Sequence, residues 1–326
     1  MDLHQAFINE YGRLRSGWRL LFFVVAFIAI SFLLATGLRI AYAILQPILP
    51  PMPRAAFFAD VIFRCSFLAS ALLAGYLCTR LFEGLPWRTL GLTFHAGWLR
   101  DLLIGSVVGL LSLALAVSIA TAAGGLRFTT SGREMILSVA KSLISSAGLF
   151  IIAALAEEAM FRGYPLQTLA RAQLAWLGVL LTSIPFAAVH LWNPNVVPGV
   201  TFANTALAGV WLAVAYLRTR SLWLPLGIHW AWNWALGSLF GLPVSGILMV
   251  GHPLLQGNDL GPAWLTGGSY GIEGGVAGTV ALVLSALFIW RTRLVSATPE
   301  LKQLTSEENP AIPSSVISIR PANEPS

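Results

Sequence analysis

Residues 172–217 read AQLAWLGVLLTSIPFAAVHLWNPNVVPGVTFANTALAGVWLAVAYL, forty-six positions without one Asp, Glu, Lys or Arg. A helix needs about 20 apolar residues to cross the hydrocarbon core of a bilayer, so the stretch is long enough for two crossings. Asn193, Pro194, Asn195 and Pro198 interrupt it at the middle, where a turn between two helices belongs. The same test applied outward finds further windows at residues 20–38, 55–79, 102–126 and 142–156 before the stretch, and at 221–242 and 274–290 after it. Pro225 falls in the first turn of its window, where its missing N–H costs little. The spacing therefore predicts an all-α polytopic membrane protein of about eight transmembrane helices.

Composition agrees. Of 326 residues, 56% are hydrophobic and 10% charged, and the mean hydropathy is +0.75. Soluble chains carry roughly 25% charged residues, so the solvent here is mostly lipid. The net charge of +6 comes with no Lys/Arg cluster larger than the three arginines of the first 19 residues, which argues against nucleic acid as a partner. The excess reads as topology. Fourteen of the twenty basic residues, starting with Arg13, Arg15 and Arg19, fall on the side of the N terminus; three of the four on the other side, Arg127, Arg133 and Lys141, share one loop. This predicts an integral protein of the plasma (inner) membrane with both termini cytoplasmic. The first window is too long for a signal-peptide core and is expected to remain as an anchor. Residues 1–293 are expected to form a single helical membrane domain, and the Ser-, Pro- and Glu-rich residues 294–326 a disordered tail. Cys65 and Cys78, thirteen residues apart on one helix, are too distant to bridge.

In such a chain the informative residues are the ones lipid penalises. Glu157, Glu158 and Arg162 end the fourth window. At about 100° per residue Glu158 and Arg162 share a helical face, whereas Glu157 points away, which leaves Glu158 to pair with Arg162 and Glu157 to act as a base. Two further sites lie in later windows: Phe186 four residues before His190, and His229 four before Asn233. Each spacing puts its pair on one face. A carboxylate, two imidazoles and an amide form an inventory for amide hydrolysis: Glu157 and one histidine orient and deprotonate water, while the other histidine and the asparagine hold the oxyanion. Glu157 and His190 are equidistant from a turn near Gln173, so they can lie at equal depth, and the four are expected to converge on a cavity opening toward the cytoplasmic side.

At these residues the sequence resembles the CPBP intramembrane proteases, a family that includes type II CAAX prenyl proteases and bacterial proteins linked to bacteriocin self-immunity. Its E-E-x-x-x-R stands here as Glu157, Glu158 and Arg162, its F-x-x-x-H as Phe186 and His190, and its H-x-x-x-N as His229 and Asn233. The resemblance covers about residues 140–241. It implies an intramembrane endopeptidase in which Glu157 and His190 position water and His229 and Asn233 stabilise the oxyanion, with Glu158, Arg162 and Phe186 as structural support. The family has also been described as metalloproteases, and Glu157, His190 and His229 would then be the zinc set. No H-E-x-x-H is present, and Asn233 suits an oxyanion better than a metal, so no cofactor is expected, with zinc the alternative. The expected partners are the lipid bilayer and a membrane-embedded or membrane-associated peptide or protein substrate. The competing reading is a non-catalytic membrane scaffold or self-immunity protein of the same fold.

The remaining polar residues get plainer readings. Asp60 and Arg64, at i,i+4 in the second window, neutralise one another, and Gly105 and Gly109 mark close helix packing. His4, His95 and His252 receive no role.

Overall fold

The computed structural model describes residues 6–46, 55–130, 132 and 135–306. Each predicted window coincides with a helix. These are α1 (Ser16–Leu45), α2 (Ala55–Cys78), α3 (Trp98–Ala122), α4 (Ile136–Glu158) continued by α5 (Tyr164–Arg171), α6 (Ala175–Val189), α7 (Val200–Thr219), α8 (Trp223–Trp234) and, after the four-residue α9 (Ala263–Thr266), α10 (Val276–Arg291). Six of these segments are long and apolar enough to cross a membrane. The two that fall short are α8 and α10. At 16 residues, α10 spans about 24 Å. The 12 residues of α8 are extended only by a wide π turn, Ala235–Leu239.

The centre of the bundle explains why α8 need not meet the length rule. It is buried on nearly every side, from Leu224 through His229 and again at Ala231 and Trp232, so its solvent is protein. Its main partner is α3, and glycines set the approach. A Cβ on Gly105 would sit 2.3 Å from the Leu224 carbonyl oxygen, one on Gly109 2.4 Å from that of Ile228, and one on Gly227 2.3 Å from that of Leu102. The predicted Gly105/Gly109 packing site is thus the seat of the helix that carries His229 and Asn233. By contrast α1 buries only a stripe, Arg19, Phe23 and Phe27, and turns Ile28, Phe32 and Leu33 outward, as a lipid-facing helix can.

One end of the bundle is marked by ions. Glu83, in the π turn that ends α2, accepts from Arg19 at 2.9 Å, Arg171 at 2.8 Å and the Thr168 hydroxyl at 3.1 Å, and all four side chains are buried. Arg19 and Arg171 count toward the basic excess, yet they are packed inside. The same end holds Arg218, which donates to the carbonyls of Thr292 and Val295, and Arg100, which donates to that of Leu294. These bonds hold residues 292–295 on the bundle, at the place where a disordered tail is expected to begin. Pro299–Thr305 is a helix, α11, capped by Thr298 and seated on the buried Leu301 and Thr305. Residues 307–326 lie outside the described residues.

The opposite end holds the one two-stranded sheet among the described residues. The third window, expected to run to residue 126, stops being helical at Ala122, and Leu126–Thr130 (β1) pairs antiparallel with Leu255–Asp259 (β2), Leu126 facing Asp259. The pairing joins segments more than a hundred residues apart, which local periodicity cannot signal.

Candidate active site

Glu158 is the hub. Its Oε1 accepts from Arg162 at 3.1 Å, as the helical spacing predicts, and also from His229 Nδ1 at 2.8 Å; Glu158 and Arg162 are fully buried. The second bond follows from no local spacing, and it links the α4 motif to the α8 motif. Arg162 lies in the π turn Ala159–Gly163, also donates to the Gly209 carbonyl of α7 at 3.0 Å, and stacks its guanidinium over the Phe186 ring, 4.6 Å from the centroid. Phe186 in turn packs edge-on against Phe161 and His229 and at a tilt against the ring of His190. The supporting residues of all three motifs therefore form one packed unit.

Glu157 behaves differently. Its side chain is 28% exposed, and its nearest ionic neighbour is His229 Nε2 at 3.6 Å. Its Oε2 is nonetheless buried and makes no hydrogen bond among the described residues. His229 is thus held by one carboxylate through Nδ1 and faces another through Nε2. His190 is fixed by its own helix: Nδ1 donates to the Phe186 carbonyl at 2.7 Å, which sets the tautomer and leaves Nε2 as an acceptor.

Two adjoining cavities gather these groups. One, of about 240 Å³, is lined by Glu157, His190 and Asn233 among others; a smaller one, of about 40 Å³, by His190, His229 and Asn233. A larger cavity of about 730 Å³ between the N-terminal segment and residues 171–174 holds none of the motif residues. Glu157, His190, His229 and Asn233 are therefore neighbours, as the spacing predicts. Their position corrects the expected opening. Asn193 and the 244–249 loop wall the 240 Å³ cavity, and these lie at the end of the bundle away from both termini. Gly109, packed on Ile228 beside His229, is about 17 Å along α3 from its start at that terminal end. The cavity thus runs from mid-bundle toward the end opposite the termini.

Three residues of the site lie outside the three motifs. Glu273, just before α10, accepts from Trp232 Nε1 at 3.0 Å, from the Ser245 backbone N–H at 2.6 Å and from the Ser245 hydroxyl at 3.1 Å. It ties α8 to the turn at 244–247. Asn193 holds the same turn by donating to the Ser245 carbonyl at 3.1 Å. Ser245 has a positive φ of 47°, and Gly246 leaves no room for a side chain, since a Cβ would lie 2.1 Å from the Pro194 carbonyl oxygen. The turn is therefore built to sit at the cavity mouth. Only a close approach of three distant segments reveals it.

Among the described residues no group of three or more His, Cys, Asp or Glu side chains is placed to hold a metal ion. The Nδ1 atoms of His190 and His229 bond the Phe186 carbonyl and Glu158, which leaves the Nε2 atom of each ring for other work.

Helical bundle and buried carboxylate–imidazole cluster together describe an integral membrane protein with a polar centre held among its helices. Residues 139–235 form a domain that matches the family described as type II CAAX prenyl endopeptidase Rce1-like. A second comparison finds 36% identity over 107 residues to an uncharacterized 24.3 kDa protein of Escherichia coli. That alignment covers 32% of this chain and 47% of the relative, so the chain spans about half the length of the curated protein it matches.

Proposed function

We propose that the protein is an intramembrane endopeptidase in which Glu157 and His190 activate a water and His229 and Asn233 stabilise the oxyanion. The observation that carries this reading is the buried Oε2 of Glu157, which makes no hydrogen bond among the described residues and only a 3.6 Å ionic approach to His229, beside a cavity that His190 and Asn233 also line. A buried carboxylate oxygen without a donor is costly, and a water delivered by the cavity supplies one. Glu157 takes a proton from that water, His190 Nε2 accepts its second hydrogen bond, and the hydroxide adds to the substrate carbonyl. The developing oxyanion receives bonds from Asn233 Nδ2 and His229 Nε2. For His229 to donate there while Nδ1 donates to Glu158, it acts as an imidazolium. That charge state also balances the cluster, where two carboxylates otherwise face one guanidinium. Glu157 then returns its proton to the amine as the C–N bond breaks.

The loop charges put both termini in the cytoplasm, and with that orientation the cavity faces the non-cytoplasmic side of the plasma membrane. The substrate is a membrane-embedded or membrane-associated peptide or protein entering from there.

The test is hydrolysis of internally quenched apolar peptides by the purified protein in detergent. Asn233→Ala removes one oxyanion donor and is expected to lower kcat about 100-fold with KM little changed. Prolonged treatment with a strong chelator is expected to leave turnover intact, because no step uses an ion. Activity lost to the chelator and restored by Zn²⁺, with Asn233→Ala nearly silent, would overturn this mechanism in favour of a zinc enzyme.

A further inference from the structure

Arg64 lines the same 240 Å³ cavity as Glu157, His190 and Asn233, and it is the one Lys or Arg among the described residues that does so. The expected pair with Asp60 forms, from Arg64 Nε to Asp60 Oδ2 at 2.9 Å. It uses one edge of the guanidinium. The two terminal nitrogens make no hydrogen bond or ion pair to the described residues, and Asp60 does not line the cavity. The arginine therefore has one edge held by Asp60 and the other uncommitted, and it lines the space where the reacting groups meet. Burial points the same way. Arg162 is sealed in protein at 0% exposure, whereas the Arg64 side chain is 24% exposed. Arg64 also lies about 14 Å into α2, where its charge is offset by Asp60 while its terminal nitrogens still lack acceptors among the described residues.

We propose that Arg64 is a substrate-binding subsite that receives a carboxylate of the substrate, an inference that rests on the endopeptidase reading of the cavity. A guanidinium with a free pair of terminal nitrogens binds a carboxylate through two parallel hydrogen bonds, a geometry that neither lysine nor a neutral side chain reproduces. The cavity sets the distance. A volume of 240 Å³ is on the order of 8 Å across, about two residues of extended chain, so the carboxylate sits within about two residues of the scissile bond. An acidic side chain and a free chain terminus offer the same chemistry.

The experiment uses the full-length protein in detergent and three internally quenched peptides of one apolar sequence. The first is amidated with Gln near the scissile bond, the second is amidated with Glu at that place, and the third is the Gln peptide shortened to end there in a free carboxylate. The expected result is a kcat/KM about 10- to 100-fold higher for the second, the third or both than for the first, carried by KM; the arm that gains identifies the source of the carboxylate. Arg64→Gln should bring the ratio close to one, and Arg64→Lys should keep part of it. Equal kcat/KM for all three peptides on the wild-type protein, or a preference that survives Arg64→Gln in a variant with an unchanged Tm, overturns the proposal. Failure of the endopeptidase reading looks different, as no Glu157-dependent cleavage of any peptide. Binding of the same peptides to Glu157→Gln, followed by fluorescence anisotropy, then decides the matter: a tighter acidic peptide, with the difference erased by Arg64→Gln, supports the subsite, and equal or absent binding overturns it.

Discussion

Replacing Glu157 with glutamine is expected to lower peptide hydrolysis by two to four orders of magnitude, the range typical of a positioned general base, while the protein still folds. The substitution keeps size and shape and removes the capacity to take a proton from water. Folding should tolerate it because Glu157 holds little together. Its side chain is 28% exposed, its closest ionic contact is the 3.6 Å approach to His229, and one oxygen makes no hydrogen bond among the described residues. Yield and Tm in detergent should match the wild-type protein, and the loss should appear in kcat. A Glu157→Gln protein that cleaves at the wild-type rate removes the carboxylate from the chemistry. If neither protein cleaves and both fold, the non-catalytic scaffold becomes the better account of this chain.

Replacing the adjacent Glu158 with glutamine should produce a different defect. Here one oxygen accepts from both Arg162 and His229, and the side chain has no exposure. A neutral amide leaves the buried guanidinium without its counter-charge, and breaking a buried pair in this way typically costs about 3 to 5 kcal/mol. Against a typical total stability of about 5 to 15 kcal/mol, that loss should appear as reduced folded yield and a lowered Tm. Activity should fall as well, since the Glu158 bond orients His229. The two glutamates are neighbours in sequence, so the comparison is internally controlled. Equal losses of folded yield in both variants would dissolve the division of labour between them.

Much of the site is legible in the sequence because its chemistry is local. The i,i+4 spacing in a helix fixes which side chains share a face, and Glu158 does pair with Arg162. The same rule cannot show that Glu158 also holds His229, since the rotation of α8 against α4 is a property of the packing. Gly105 and Gly109 announce a close contact by their spacing alone, but that α8 is the partner follows from which backbone fits against them. Glu273 and Ser245 lie outside every motif. They join the site because a turn between α8 and α10 folds back over the cavity.

The sequence by itself determined the solvent of this protein and the order of its helices. Long apolar runs have a transfer free energy that only a bilayer satisfies, and that quantity adds up residue by residue along the chain. It also determined which polar residues were too costly to lie idle in lipid. Tertiary structure alone decided that Arg19 and Arg171 converge on Glu83, that β1 finds β2, that residues 299–305 pack as a helix and that the cavity opens away from the termini. Each of these depends on contacts between residues far apart in the chain. Their energy belongs to a pair of surfaces brought together by the whole bundle, and no local window contains both members.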